Sequence, residues 1–374
     1  MIGRQFLLLT LLIGSALLAV PASFAQSADA SHRRLVEAGS QHLAAGDHRG
    51  ARDAFEQALS IQETDAAAHL GLGIANSRLG DDRAAETALR RAIELQPGDK
   101  RAYELLGALL YRRDDLGAAI AHWEKALELV PSDAALGSLL ERRRREYRTE
   151  KAFHRDGTSL FSIKYEGREQ TDIGRIVLRI LEDAHGEIGR ALSWFPQQEV
   201  AVILYSRRQF REVTEAPGWS GGLYDGKIRI PVARIAHESP ALRRLLFHEY
   251  THAVVHSISG RAPTWLNEGL AQHFEGREID ARQREVLRLA ASKGKLPSLQ
   301  DLESAFRGLN GDQASFAYLL SLSAVRYLVD HFGIHRIRSL LDDLATGADT
   351  AGAVRKVFHV SYEDLDRGWA RSIE

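Results

Sequence analysis

A regular repeat between residues 32 and 131 constrains the fold of this chain more than any other feature. Each unit has small residues at three shared positions and one large apolar residue at a fourth. The small residues are Gly39, Gly73 and Gly107, then Ala51, Ala85 and Ala119, then Ala58, Ala92 and Ala126; the large ones are Phe55, Leu89 and Trp123. Small side chains let paired helices pack closely, and the large side chain fills the groove between neighbours. The pattern predicts three helix–turn–helix units.

The constant period and the small–large pattern resemble the tetratricopeptide repeat (TPR). A helical segment at residues 133–153 follows the third unit and contains a basic run at residues 142–145. We interpret this run as the solvated face of a capping helix rather than as a docking patch for an acidic partner. The resemblance implies an all-α TPR solenoid over residues 32–153 that binds a protein partner.

The N-terminus has the form of a secretory signal. Arg4 precedes an apolar run at residues 6–20, and small residues follow at positions 23 and 25. The run is short for a membrane span, so we predict a cleaved signal peptide over residues 1–25. An uncleaved membrane anchor is the alternative. We expect secretion across the inner membrane into the periplasm, with no membrane span after signal cleavage.

Charge and cysteine content limit the partners and cofactors. The chain has 49 Lys and Arg against 50 Asp and Glu, and this balance argues against a nucleic-acid partner or an acidic membrane surface. It has no cysteine, which excludes disulfides, thiolate zinc sites and a lipid-modified cysteine. Any metal must therefore be held by His, Asp or Glu.

The pattern changes to α+β from Thr158 onward. The segments with strand character are 159–166, 199–205 and 227–231, and a helix is predicted at 171–192. The last of these strands ends in Pro231, which cannot donate a hydrogen bond to a neighbour, so we predict an edge strand there. Beyond Pro240 the chain is predicted to be helical. Residues 158–374 therefore form a second, α+β domain with its strands grouped early.

The segment LLFHEYTHAVVH, residues 245–256, contains the pattern H-E-x-x-H on an otherwise apolar helix. His248 and His252 lie one helical turn apart on one face, so both rings can bind one ion. Glu249 is turned away from that ion but stays close enough to take a proton from the attacking water. A helix with surface histidines is the alternative, and the uncharged flanking residues argue against it.

A third ligand candidate lies in the stretch W-L-N-E-G-L-A, residues 265–271. Pro263 is placed at a helix start, and a turn at residues 259–261 lets this second helix fold back on the first. Glu268 can then approach His248 and His252. Together, H-E-Y-T-H and W-L-N-E-G-L-A resemble the gluzincin metallopeptidases, specifically the peptidase-MA-like domains, over roughly residues 199–347.

The resemblance implies a zincin-like metallopeptidase domain that hydrolyses peptide bonds in a peptide or protein substrate. One Zn²⁺ per chain would be held by His248, His252 and Glu268, with Glu249 as general base. It also implies a role for Tyr318 in supporting the oxyanion, although core packing is an open alternative for that residue.

Three further features are interpreted more simply. Residues 221–230 resemble the edge strand that pairs with the substrate backbone, and an ordinary surface hairpin is the alternative. His256 is interpreted as a structural residue, or as a residue that supports the ligands, rather than as a ligand itself. Gln272, four residues after Glu268, could orient a ligand imidazole.

The sequence thus predicts an N-terminal all-α TPR solenoid followed by an α+β zincin-like metallopeptidase domain. The predicted function is a secreted zinc metallopeptidase. The alternative is a non-catalytic envelope scaffold or adaptor that binds proteins through its repeats and retains a peptidase-like domain. The intact base Glu249 favours the enzyme, because a domain that no longer cleaves has no need of it.

Overall fold

The structure is a computed structural model that describes residues 22–167, 171–215, 221–232, 238–304, 306 and 309–373. The predicted signal peptide, residues 1–25, falls largely on residues 1–21, which lie outside the described residues. Within the described part of the chain, no helix combines the length and the apolar character needed to cross a membrane.

Seven helices form the N-terminal part of the chain. They are α1 (Ala22–Ala45), α2 (His48–Ile61), α3 (Ala66–Leu79), α4 (Asp82–Leu95), α5 (Lys100–Arg112), α6 (Leu116–Leu129) and α7 (Ala134–Glu150). From α2 to α7, each helix starts after an aspartate whose side chain accepts a backbone N–H of the first turn. These caps fall into two series, each spaced by one repeat period: Asp47, Asp81 and Asp115, then Asp65, Asp99 and Asp133. Each contributes about 1 kcal/mol to the stability of its helix.

The glycines of the repeat make room for the large residue of the next helix. A Cβ atom at Gly39 would lie 2.8 Å from the Phe55 ring. A Cβ atom at Gly73 would lie 2.7 Å from Leu89, and a Cβ atom at Gly107 would lie 2.6 Å from Trp123. Any larger residue would push the paired helices apart. The predicted pairing of small and large residues is confirmed, and TPR-like helical repeats form this part of the chain.

Helices α1 to α7 are called the repeat array below, and a mixed sheet with five strands in the described residues follows it. Its strands are β1 (His154–Gly157), β2 (Phe161–Tyr165), β3 (Val200–Tyr205), β4 (Leu223–Tyr224) and β5 (Ile228–Pro231). Their order in the sheet is β1-β2-β3-β5-β4. The three central strands run parallel, whereas β1 and β4 are antiparallel to their neighbours and form the two edges of the sheet as far as it is described. The helix α8 (Thr171–Leu192) connects β2 to β3, as the sequence predicts.

The prediction that residues 227–231 form an edge strand is wrong. β5 lies between β3 and β4, and the outer strand is the two-residue β4. Pro231 is compatible with an inner strand because it occupies the last position of β5. The next residue, Val232, donates a hydrogen bond of 2.7 Å to the carbonyl of Tyr205, so the pairing with β3 continues past the proline.

Side chains alternate between the two faces of the sheet. Val202 and Leu204 belong to the largest core, which the sheet forms with α8 and the helices after residue 240. Ile203 and Tyr205 face the other way and pack against Phe210 of α9 (Arg207–Thr214). The C-terminal helices are α10 (Pro240–Ile258), α11 (Thr264–Phe274), α12 (Ala281–Ser292), α13 (Gly311–Phe332), α14 (Ile334–Ala345), α15 (Thr350–Phe358) and α16 (Tyr362–Ile373).

β1 lies between the two predicted domain ranges, 32–153 and 158–374. It pairs with β2 along its whole length, from His154 opposite Tyr165 to Gly157 opposite Ser162. The strand therefore belongs to the sheet, although it directly follows the last helix of the array. The division of the chain into separate modules at these bounds stays a prediction.

Candidate metal centre

α10 presents His248 and His252 on one face. Ser239 caps the helix by accepting a hydrogen bond of 3.2 Å from the N–H of Leu242, and Pro240 occupies its first turn. The apolar residues around the two histidines are mostly buried, which fixes the rotation of the helix. The two imidazole rings meet edge to face, with centroids 4.8 Å apart.

Glu268 reaches the same point from α11, which packs against α10. Its Oε2 atom lies 3.7 Å from Nε2 of His248 and 3.7 Å from Nε2 of His252. The three candidate ligand atoms all lie within 4.8 Å of one another. The structure therefore brings together the three side chains that the sequence predicts as metal ligands.

Two further side chains orient the imidazoles. His248 Nδ1 lies 2.9 Å from Oε2 of Glu275, and His252 Nδ1 lies 3.0 Å from Oδ1 of Asn267. Both oxygens can accept a hydrogen bond from Nδ1, and this contact directs each Nε2 toward Glu268. Sequence reasoning missed both residues, although Asn267 directly precedes Glu268, and Glu275 lies two helical turns after it.

The donor set fits a zinc ion. Oε2 of Glu268 is buried and has no hydrogen-bond partner among the described residues. A buried carboxylate oxygen without a partner is costly, and a cation bound between the three ligand atoms would satisfy it. Two imidazole nitrogens and one carboxylate oxygen are also the ligands that catalytic zinc sites use.

Glu249 lies beside the ligands on the same helix and is 5% exposed. Burial raises the pKa of Glu249 to about 7; His252 opposes the rise, while Glu268 and Glu275 add to it. A cation at the neighbouring ligands would favour the ionised form and lower that pKa. The carboxyl group is thus placed where its protonation responds strongly to its surroundings.

The strand β4 begins next to Glu249. A Cβ atom at Gly222, the residue before β4, would fall 2.6 Å from Oε1 of Glu249. Only glycine lets the backbone come this close to the carboxylate. The ring of Tyr224 in β4 also contacts the ring of His256, with centroids 5.9 Å apart. The edge of the sheet therefore borders the candidate metal centre.

Two family models match this chain. Residues 193–374 match the Peptidase MA superfamily, and residues 42–109 match the tetratricopeptide repeat. The first match spans β3 to β5 and α9 to α16, and it includes every residue of the candidate metal centre. Residues 193–374 form a Peptidase MA superfamily domain. TPR repeats precede this Peptidase MA domain.

No curated protein matches the chain. Among solved structures, the first TPR domain of human RPAP3 is 21% identical, with a TM-score of 0.31, and the match covers 32% of this chain and 94% of that one. MamA is 24% identical, with a TM-score of 0.29, over 34% of this chain and 80% of that one. A mutant of the Thermobaculum terrenum O-GlcNAc transferase is 16% identical, with a TM-score of 0.30, over 60% of this chain and 44% of that one. At such TM-scores these likenesses carry no argument about partners or substrates.

Tyr318 lies on α13, near the candidate metal centre. Its ring packs edge to face on Phe306, with centroids 5.5 Å apart. Burial raises the pKa of Tyr318 well above its usual value, and the negative charges of Glu268 and Glu249 add to the rise. The residue is thus close enough to both carboxylates to feel their charge, and it also packs against the core.

His256 and Gln272 lie outside the ligand set. His256 is exposed one turn beyond His252, and its role stays a prediction. The interpretation of Gln272 as an orienting group is wrong. Its Nε2 donates a hydrogen bond of 2.8 Å to the carbonyl of Tyr318 and one of 3.2 Å to the carbonyl of Glu268. The side chain therefore joins α11 to α13 instead. Glu275, one turn further along, contacts His248 in its place.

Proposed function

We propose that this chain is a secreted zinc metallopeptidase that hydrolyses peptide bonds, and that its TPR repeats bind a protein. The observation that carries the proposal is the convergence of His248 Nε2, His252 Nε2 and Glu268 Oε2 beside the buried carboxylate of Glu249. The proposed export to the periplasm rests on the N-terminal sequence. The proposed protein binding rests on the repeats, which commonly present extended binding surfaces.

A zinc ion held by the three ligands would supply a Lewis acid that polarises the scissile carbonyl and acidifies water. Glu249 is not a ligand in this arrangement. Its carboxylate accepts the proton of the attacking water and afterwards donates it to the leaving amine. An apolar environment increases the affinity of a carboxylate for a proton, which supports the first transfer.

The substrate backbone is proposed to lie along β4. This strand is the last of the described sheet, so its outer side can pair with an extended peptide by strand addition. Such a peptide would pass over Glu249, because Gly222 borders that carboxylate. The hydroxyl of Tyr318 is proposed to donate a hydrogen bond to the carbonyl oxygen as it gains negative charge.

The zinc site can be tested by metal analysis of the purified chain. We expect about one zinc per chain, and we expect His252→Ala and Glu268→Ala to lose it, because three protein ligands are the usual minimum for a catalytic zinc site. His256→Ala is the matched control, since it removes a histidine one turn away on the same helix and should leave the zinc content unchanged. Full zinc content in Glu268→Ala would show that the third ligand is wrong.

A further inference from the structure

The repeat array contacts the rest of the chain through its within-repeat loops. These loops have a left-handed backbone at residues 46, 80 and 114, which occupy the same position in successive units. In the first, a Cβ atom at Gly46 would lie 3.7 Å from the carbonyl oxygen of Thr346. In the second, Gly80 accepts a hydrogen bond of 2.9 Å from Nε2 of Gln198. The array is thus attached along its length by equivalent loops.

The third loop has an aspartate where the first two have glycine. Asp114 keeps the left-handed backbone, with a φ of 62°, although that conformation favours glycine. Its carboxylate contacts two lysines, one in β2 and one directly before β5: Oδ2 lies 2.7 Å from Nζ of Lys164, and Oδ1 lies 2.8 Å from Nζ of Lys227. The repeat pattern is therefore broken at the position where a loop meets the sheet, and a buried ion contact replaces the glycine.

Asp114 is part of a larger group that we call the junction cluster. The array contributes Tyr111, Asp114, Glu146 and Glu150, and the sheet contributes Lys164, Tyr205, Lys227 and Arg229. Arg229 lies 2.8 Å from Oε1 of Glu146. It also donates one hydrogen bond of 2.6 Å to the hydroxyl of Tyr111 and another of 2.6 Å to that of Tyr205. Three acidic side chains of the array thus face three basic side chains across the junction, and Arg143 of α7 also contacts Glu146, at 2.7 Å.

Two cations of the junction cluster, one in β5 and one directly before it, are shielded from water. Lys227 is 0% exposed and Arg229 is 1% exposed. Burial works to raise the pKa of Glu146, but Arg229 and Lys227 outweigh it and hold that pKa at about 2. Buried charges need their partners, because removing one leaves the other uncompensated. Asp225, which lies between β4 and β5, also contacts Arg229 at 3.0 Å, and the array supplies the other counter-charges of this β4–β5 hairpin.

The same hairpin borders the metal centre. Leu223 of β4 pairs with Arg229, and Tyr224 pairs with Ile228. The residue before β4 is Gly222, whose backbone lies against Glu249. A continuous path of contacts thus runs from Glu146 of the array through Arg229 and β4 to Glu249.

We propose that the repeat array is a structural part of the substrate cleft, in which Lys227 and Arg229 are positioning residues. Asp114 and Glu146 hold these two cations, and the paired strands β5 and β4 transmit that restraint to the edge beside Glu249. This proposal rests on the proposed function, because a cleft needs a substrate. It gives the array a role in shaping the site in addition to any binding of a partner.

The test compares backbone amide exchange in the zinc-loaded full chain and in three variants. Asp114→Asn and Glu146→Gln remove one charge each and preserve side-chain size. Glu141→Gln is the control on α7, because Glu141 is exposed and pairs with Arg144 on the same helix. We expect amides of residues 221–232 to exchange about tenfold faster or more in the first two variants, because a buried charge loses its partner. The control should exchange at the wild-type rate.

Two further readouts separate positioning from general destabilisation. Zinc content and exchange in α11 should stay at wild-type values, and KM for a peptide should rise more than kcat falls. Wild-type exchange at residues 221–232 in folded Asp114→Asn would overturn the proposal, as would equal acceleration throughout α11. If Glu146→Gln does not fold, Asp114→Asn decides the outcome. A wild-type chain that cleaves no peptide would count against the proposed function alone, since exchange needs no cleavage.

Discussion

Glu249→Gln is expected to lower kcat/KM for peptide cleavage by about 10²–10⁴-fold while the chain retains its zinc. Glutamine has nearly the same shape, so the close contact with Gly222 and the packing of α10 are preserved. It cannot accept a proton from the attacking water or pass one to the leaving amine. The measurement is the rate of cleavage of one peptide by wild type and variant at equal zinc content.

Glu278→Gln is the control for this experiment. Glu278 is an exposed glutamate that pairs with Arg326, at 2.9 Å, outside the candidate metal centre. The same change of charge there should leave the rate unaltered. A folded, zinc-loaded Glu249→Gln variant that cleaves at the wild-type rate would contradict the role of Glu249 as general base.

Glu146→Ala is expected to lower the free energy of unfolding by about 3–5 kcal/mol. Its carboxylate is fully buried and contacts Arg229 at 2.8 Å and Arg143 at 2.7 Å. Truncation leaves these guanidinium groups, together with Lys227, short of a counter-charge. The measurement is urea-induced unfolding of both proteins, followed by a spectroscopic signal.

Glu141→Ala provides the comparison on the same helix. Glu141 is exposed and pairs with Arg144 at 2.8 Å, three residues further along α7. A surface pair of this kind contributes about 0.5 kcal/mol or less. If the two substitutions lower the free energy of unfolding equally, the junction cluster stabilises the fold no more than a surface ion pair does.

Features that depend on local spacing could be predicted from the sequence. The regular repeat places Gly107 against Trp123, and the structure has that contact. The helix at 171–192 could be predicted because its apolar residues recur at helical spacing. His248 and His252 are one turn apart on a single helix, so their common direction follows from helix geometry alone.

The burial of a charged side chain could not be predicted in this way when it depends on which distant segment covers that face of the sheet or helix. Lys227 and Arg229 alternate with apolar residues, and this alternation indicates a face turned to water. In the structure the repeat array covers that face and buries both cations. The basic run at 142–145 is a similar case, because Arg143 lies 4.0 Å above the ring of Tyr111 instead of facing only solvent. Alternation shows which residues share a face, but a distant segment decides whether it is buried.

The surroundings of the predicted metal ligands show the same limit. Glu268 could be predicted from its W-L-N-E-G setting, whereas Glu275 required knowledge of how α11 lies against α10. Gln272 has a favourable spacing from Glu268, yet α13 is close enough to take its hydrogen bond. Packing between helices therefore selects which of several well-spaced polar residues contacts an imidazole.

The proposed function requires that the chain cleave peptide bonds and need zinc to do so. Its most direct test is the digestion of a broad peptide library by the full chain in three states: zinc-loaded, stripped of metal with a chelator, and reloaded with zinc. We predict cleavage by the loaded chain, loss of cleavage on stripping, and recovery on reloading. If the zinc-loaded, folded chain cleaves no peptide in the library, the claim is contradicted and a non-catalytic scaffold becomes the better account.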